Sequence, residues 1–280
     1  MTKNDQVLFV TGANKGLGAA IAKESLAQGY KVVAATRKPE DAEKLLGTLE
    51  DLLIVKLDVT KDDEIISAIA SALKKFGRID ILVNNAGYGT MGYFEQISDK
   101  LIQKQIATNL FGPMKLTRAI LPYMRKQGSG YIVSVSSTSG IRPVEGGSVY
   151  SASKFGLEGW MEGLKLELKS FGINCLIVEP GAFRTDFSNM KTSLTFSDME
   201  IEDYKDKSNA VYKRVASSDG NQQGDPAKLA KALLKTIKVP NPPMRLVCGK
   251  AALDVAITQM DSRLEEYKTW KEISVSTDFD

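Results

Sequence analysis

The 280-residue chain contains no histidine, and that single absence excludes several chemistries at once. Hydrolysis by a Ser-His-Asp triad, Cys-His catalysis and histidine-bound zinc or iron all require the missing imidazole. Proton transfer near neutral pH must therefore fall to another side chain. Cysteine is almost as scarce. Cys175 and Cys248 are the only two and follow no metal-ligand spacing, which reads as small core residues with free thiols in a reducing compartment. No metal is expected. No apolar run approaches about 18 residues, and the polar start at positions 1–5 has no hydrophobic stretch behind it. A soluble, cytoplasmic protein with no membrane partner is the expectation. Charge of one sign is also lacking: 37 basic and 34 acidic residues leave a net +3, which gives no basis for a nucleic-acid partner.

What is present is a regular alternation. Apolar runs rich in β-branched residues stand at 7–10, 31–35, 52–57, 79–83, 131–135 and 173–178, with helical patterns between them, including 19–28 and 62–76. Gly29 and Gly77 suit the positions just past those two helices. Strands alternating with helices of this length build a parallel sheet covered on both faces. The expected fold is α/β: a Rossmann-type doubly wound parallel sheet forming one domain over 1–280. The pattern weakens after Val178, and residues 182–223 are polar without strand signal, which predicts either disorder or a functional lid. A strand at 244–247 and a helix at 253–270 follow, within a C-terminal helical extension at about 250–280.

The first strand runs into Thr11-Gly12-Ala13-Asn14-Lys15-Gly16-Leu17-Gly18 and then a helix. Glycines let such a turn approach a pyrophosphate closely, while the helix N-terminus offers unpaired N–H groups to the anion. A carboxylate usually ends the second strand when NAD is the ligand. Here Thr36 stands there, followed by Arg37 and Lys38, with no carboxylate between Lys31 and Pro39. Arg37 can fork onto a 2′-phosphate and Lys15 can approach it from the other side, so NADP(H) is the expected cofactor. Further along, Tyr150 and Lys154 lie four apart in a helical stretch and share one face. Free tyrosine titrates near pH 10, so useful proton transfer needs nearby positive charge. A unit charge at about 5 Å and an effective dielectric of about 20 supplies roughly 3 kcal/mol, a little over two pKa units. Ser137 follows the strand at 131–135, beyond the strand ends where such sheets bind ligands; Ser136 and Ser139 compete with it, and spacing favours Ser137.

The Thr-Gly-x-x-x-Gly-x-Gly turn, Leu57-Asp58-Val59, Asn84-Asn85-Ala86-Gly87, Asn109, Ser137 with Tyr150-Ser-Ala-Ser-Lys154, and Pro180-Gly181 with Thr185 occur in the order of the short-chain dehydrogenase/reductase family, which the chain resembles from residue 7 to about 185. The resemblance implies a carbonyl reductase-like enzyme with catalytic Asn109, Ser137, Tyr150 and Lys154. It implies cofactor contacts from Gly12, Asn14, Lys15, Gly16, Leu17, Gly18, Arg37, Asp58, Val59, Asn85, Ala86, Gly87, Tyr150, Lys154, Pro180, Gly181 and Thr185. In that scheme Ser137 polarises the substrate carbonyl, Tyr150 supplies the proton, and the Asn109 region orders a water leading to Lys154. Pro113 lacks the N–H that would bond the carbonyl of residue 109, which fits either a freed carbonyl or a plain proline kink.

Phe183, Phe187 and Met190, with Tyr93, Ile141 and Val144, are candidates for an apolar pocket, or for a lid's own small core. The expected activity is hydride transfer from NADPH to an apolar ketone or aldehyde. An NAD-linked alcohol, steroid or retinoid dehydrogenase is the enzyme alternative, and an NADP(H)-binding sensor the non-enzyme one. The family's habit of association through two long helices, here at about 100–126 and 150–170, implies a homodimer or homotetramer.

Overall fold

The computed structural model describes residues 5–188, 193–218 and 220–279. The elements follow in the order β1 (Val7–Thr11), α1 (Gly16–Ala27), β2 (Lys31–Thr36), α2 (Pro39–Leu46), β3 (Leu52–Lys56), α3 (Asp62–Phe76), β4 (Ile81–Asn84), β5 (Gly89–Met91), α4 (Asp99–Ile106), α5 (Gly112–Gln127), β6 (Gly130–Val135), α6 (Ser148–Leu168), β7 (Ile173–Pro180), β8 (Leu194–Phe196), α7 (Lys205–Ser218), α8 (Pro226–Thr236), β9 (Arg245–Cys248), α9 (Lys250–Thr269) and α10 (Lys271–Val275). Seven strands form one sheet in the order β3-β2-β1-β4-β6-β7-β9, every pair parallel.

The apolar runs are continuous because both faces of this sheet are covered. Alternate residues of each strand point to opposite sides. Phe9, Val33, Leu82, Ile132 and Ile177 pack with Ile65 and Ile69 of α3, Leu116 and Ile120 of α5 and Met161 of α6. Leu8, Val32, Val83, Val133 and Val178 pack with Ile21 of α1 and Leu229 and Leu233 of α8. Helix ends obey local rules: α3 opens on Asp62, Asp63 and Glu64, closes on Lys74 and Lys75, and stops at Gly77 in the left-handed region.

Strand order reverses between β1 and β4, which leaves a crevice beyond their carboxyl ends where such sheets bind ligands. Part of the 182–223 segment carries structure that the sequence pattern does not signal. The short strand β8 pairs with β5 in register Thr90↔Thr195, and α7 follows. Three-residue strands are too short to show a period. No helix among the described residues is long and apolar enough to cross a membrane.

Candidate active site

The turn after β1 is shaped by glycines. Gly12 and Gly16 have φ of +68° and +54°, the left-handed region that L side chains rarely occupy. A Cβ on Gly18 would stand 2.4 Å from the Gly12 carbonyl oxygen, so α1 can start this close to the turn only without one. Thr11 and Asn85 bind the turn to the end of β4. The Thr11 hydroxyl accepts the N–H groups of Asn85 and Ala86 at 3.0 and 2.9 Å, and Asn85 Nδ2 donates to the Thr11 carbonyl at 2.8 Å. Thr11 was not singled out by sequence, although its place at the head of the glycine motif was the available signal.

Basic residues gather at one rim of this turn. Burial lowers the pKa of Lys15; Asp186 opposes that, and neighbouring Arg37 and Lys38 lower it further. Two lysines and an arginine thus converge where the sequence places a 2′-phosphate, with Asp41 and Asp186 also in range. Lys15 Nζ donates to Ser193 Oγ at 2.6 Å, a contact that joins the glycine turn to the segment leading into β8. Asp58, beyond β3, is raised by burial, but two hydrogen bonds from Thr60 and the charge of Arg37 outweigh this and hold it below the usual carboxylate range. Val59 lies under the start of α5, where a Cβ on Gly112 would sit 2.6 Å from Val59 Cγ2; its visible role is packing. Gly181 donates to the Cys248 carbonyl at 3.0 Å, and Thr185 stands 3.4 Å from the position of a Cβ on Gly16. Pro180 ends β7 and Leu17 packs partly buried against the core. Asn14 lies in the turn after β1 and Gly87 in the loop after β4, where a Cβ on Gly87 would stand 3.2 Å from Asn109 Oδ1.

Ser137, Tyr150 and Lys154 come together beyond the end of β6. Ser137 accepts the Ser139 N–H at 3.1 Å, which fixes its side chain at the start of the following turn, where its hydroxyl lies close enough to Tyr150 to lower the phenol's pKa. Lys154 Nζ donates to the Val135 carbonyl at 2.8 Å and stands 5.8 Å from the centroid of the Tyr150 ring. Burial pushes Tyr150 up to about 12, against the influence of the nearby Ser137 hydroxyl, and burial pulls Lys154 down to about 8, against the charge of Glu158. In both groups burial is the largest cause, and it disfavours the charged form of each.

Asn109 sits in a widened turn. Residues Ala107–Phe111 are π-helical, and Gly112 N–H bonds the Ala107 carbonyl five residues back. Pro113 cannot continue the ordinary ladder to residue 109, so the helix loosens where Asn109 must reach sideways. Its amide accepts from Tyr88 N–H at 3.2 Å and donates to the Tyr88 carbonyl at 2.9 Å and to Ser153 Oγ at 3.3 Å. Asn109 therefore clamps the loop after β4 to the helix that carries Tyr150.

The pocket candidates divide. The Phe187 ring lies 5.9 Å from the Tyr150 ring, and Ile141 is buried just past the turn that follows Ser137. Phe183 instead packs against the core below Gly224, whose Cβ would meet Phe183 Cγ at 2.6 Å. Tyr93 stacks on Tyr204 at 4.7 Å, and Val144 is exposed. Met190 lies outside the described residues.

Comparison with known proteins decides the family. Residues 6–194 match the family model described as short chain dehydrogenase. The chain belongs to that family. This short-chain dehydrogenase is 34% identical to an oxidoreductase, BOA17, of Botryotinia fuckeliana, over 99% of this chain and all of the relative. It is also 34% identical to a 3-ketodihydrosphingosine reductase of Bacteroides thetaiotaomicron, over 87% and 88% of the two chains. A solved short-chain dehydrogenase from Streptomyces avermitilis superposes with a TM-score of 0.89 at 38% identity, covering 98% of this chain and 100% of that one. The chain is thus an oxidoreductase of this family, whose fold binds a nicotinamide cofactor.

Proposed function

We propose that this enzyme reduces the carbonyl of an apolar ketone or aldehyde with NADPH, in the cytoplasm, as a homodimer or homotetramer. The observation that carries the reading is the buried Tyr150 with Lys154 Nζ 5.8 Å from its ring, beside the turn that carries Ser137. When bound, the nicotinamide cofactor supplies the hydride. Ser137 and Tyr150 bond the substrate oxygen, and Tyr150 gives up its proton as negative charge develops there. Lys154 holds positive charge beside the resulting phenolate. A phenol held at about 12 keeps its proton throughout the neutral range, which suits a proton donor to a carbonyl oxygen. The aromatic face of Phe187 beside Tyr150 favours an apolar substrate, and the similarity to a ketone reductase points the same way. Segment 182–223 acts as a substrate lid, tied to the glycine turn by Lys15 and Ser193.

Replacing Tyr150 with Phe is expected to remove turnover while leaving NADPH binding intact, measured as NADPH consumption against a panel of aldehydes, ketones and quinones and as cofactor fluorescence. Activity in that variant would end the assignment. The phosphate preference has its own test. Arg37→Glu should lower kcat/KM for NADPH by about tenfold to a hundredfold, the worth of a charged hydrogen bond, and leave the NADH value within about twofold.

A further inference from the structure

Behind Lys154 lies a group of carboxylates that the proposed reaction does not use. Glu158 is one helical turn beyond Lys154 on α6 and shares its face. Glu179, next to last in β7, is 1% exposed, and Glu158 is 6% exposed. Arg245 on β9 serves both: its Nε stands 3.3 Å from Glu158 Oε2 and 3.3 Å from Glu179 Oε1, while its Nη2 pairs with the more exposed Glu162. Three carboxylates thus face one guanidinium. Glu158 Oε1 and both Glu179 oxygens have no well-aligned hydrogen-bond donor among the described residues. A Cβ on Gly140 would stand 2.7 Å from Ser136 Oγ and 3.0 Å from Glu158 Oε1, so the group closes directly under the turn that carries Ser137.

We propose that Glu158 and Glu179 share one proton and act together as a positioning pair that sets the charge of Lys154, and through it the proton donor Tyr150; this rests on the reading of Tyr150 and Lys154 as the proton-transfer couple. Two buried carboxylates on one guanidinium Nε cannot both ionise cheaply, and a proton between them is the donor that their oxygens lack. Burial and the charge of Glu158 push Glu179 up to about 8, so the proton rests mainly on Glu179 and the negative charge on Glu158, beside Lys154. The other groups facing the pair are Lys154 and Glu162 on α6, Ser136 before the catalytic turn, and Arg245 and Cys248 on β9, the last raised to about 11 by burial and by the charge of Glu179.

The test is a titration of Lys154 by NMR in full-length protein labelled at lysine Cε, its signal assigned by loss in Lys154→Met. Glu158→Gln should lower the Lys154 midpoint by about one pH unit, whereas Glu179→Gln, which leaves Glu158 ionised, should not lower it. An unmoved midpoint in Glu158→Gln, or equal lowering in both variants, overturns the proposal. Should either variant fail to fold, infrared spectra of the unsubstituted protein decide: a protonated-carboxyl band present at pH 7 and lost above about pH 8 supports the pair, and its absence at pH 7 refutes it. Activity surviving in Tyr150→Phe would remove the catalytic reading while leaving the shared proton standing.

Discussion

Burial drives Tyr150 and Lys154 in opposite directions, and the two shifts have consequences for stability that can be worked out by sign. Lys154 titrates in the fold near 8 against an ordinary 10.5. Below 8 both the folded and unfolded chains hold the proton, and the fold carries the cost of a buried charge. Between about 8 and 10.5 the folded protein releases that proton first, so this group's contribution to stability improves as pH rises through the window. Replacing Lys154 with Met is therefore expected to raise the unfolding free energy at pH 7 by about 1–3 kcal/mol while abolishing turnover. Denaturant unfolding at pH 7 and pH 9.5 checks it, with the advantage of the variant shrinking at the higher pH. A loss of stability in the variant would mean that the bond to the Val135 carbonyl outweighs the burial cost.

At the level of elements, the parts of the site that sequence made legible are those that depend on local spacing. Tyr150 and Lys154 fall on one face because of helical periodicity, and the Gly12 turn is legible because backbone at positive φ next to a helix start calls for glycine. Asn109 was legible as a position but not in its contacts. Its clamp on Tyr88 and Ser153 depends on a π turn and on residues 21 and 44 positions away, which no local pattern encodes. The β5–β8 ribbon is likewise held by tertiary contact: Gly92, with φ +144°, donates to the Gly146 carbonyl at 2.8 Å, and a Cβ there would stand 2.6 Å from Ser197 Cβ. Gly92→Ala should force this edge of the ribbon away at a cost of about 1–3 kcal/mol. The expected kinetic result is a KM for the carbonyl substrate raised severalfold with the NADPH dissociation constant unchanged, read from steady-state kinetics and cofactor titration.

For the molecule as a whole, the distribution of exposed apolar side chains limits where copies of the chain can meet. Phe111, Tyr123 and Leu166 are exposed on the segment from the π turn through α5 and on α6, with Leu166 at 78%, and Arg125 near the end of α5 stacks over Phe171 just past α6 at 5.8 Å. The C-terminal helices are apolar too: Leu253, Ile257, Met260, Leu264 and Tyr267 recur at alternating four- and three-residue steps along α9, all exposed. Exposed apolar side chains grouped in this way mark surfaces of association. The two differ in charge. Residues 250–280 hold four basic and seven acidic side chains, so two copies of that segment repel, whereas α5 carries Lys115, Arg118, Arg125 and Lys126 without an acidic residue, and α6 exposes Glu162 and Glu167 with Lys165 between them. Association through α5 and α6 is thus the better matched, since the basic α5 of one copy can lie against Glu162 and Glu167 of the next. Light scattering should find a dimer or larger for the unaltered chain and a monomer for Leu166→Glu, while Leu264→Glu leaves the assembly intact; the reverse pattern would place the interface on α9.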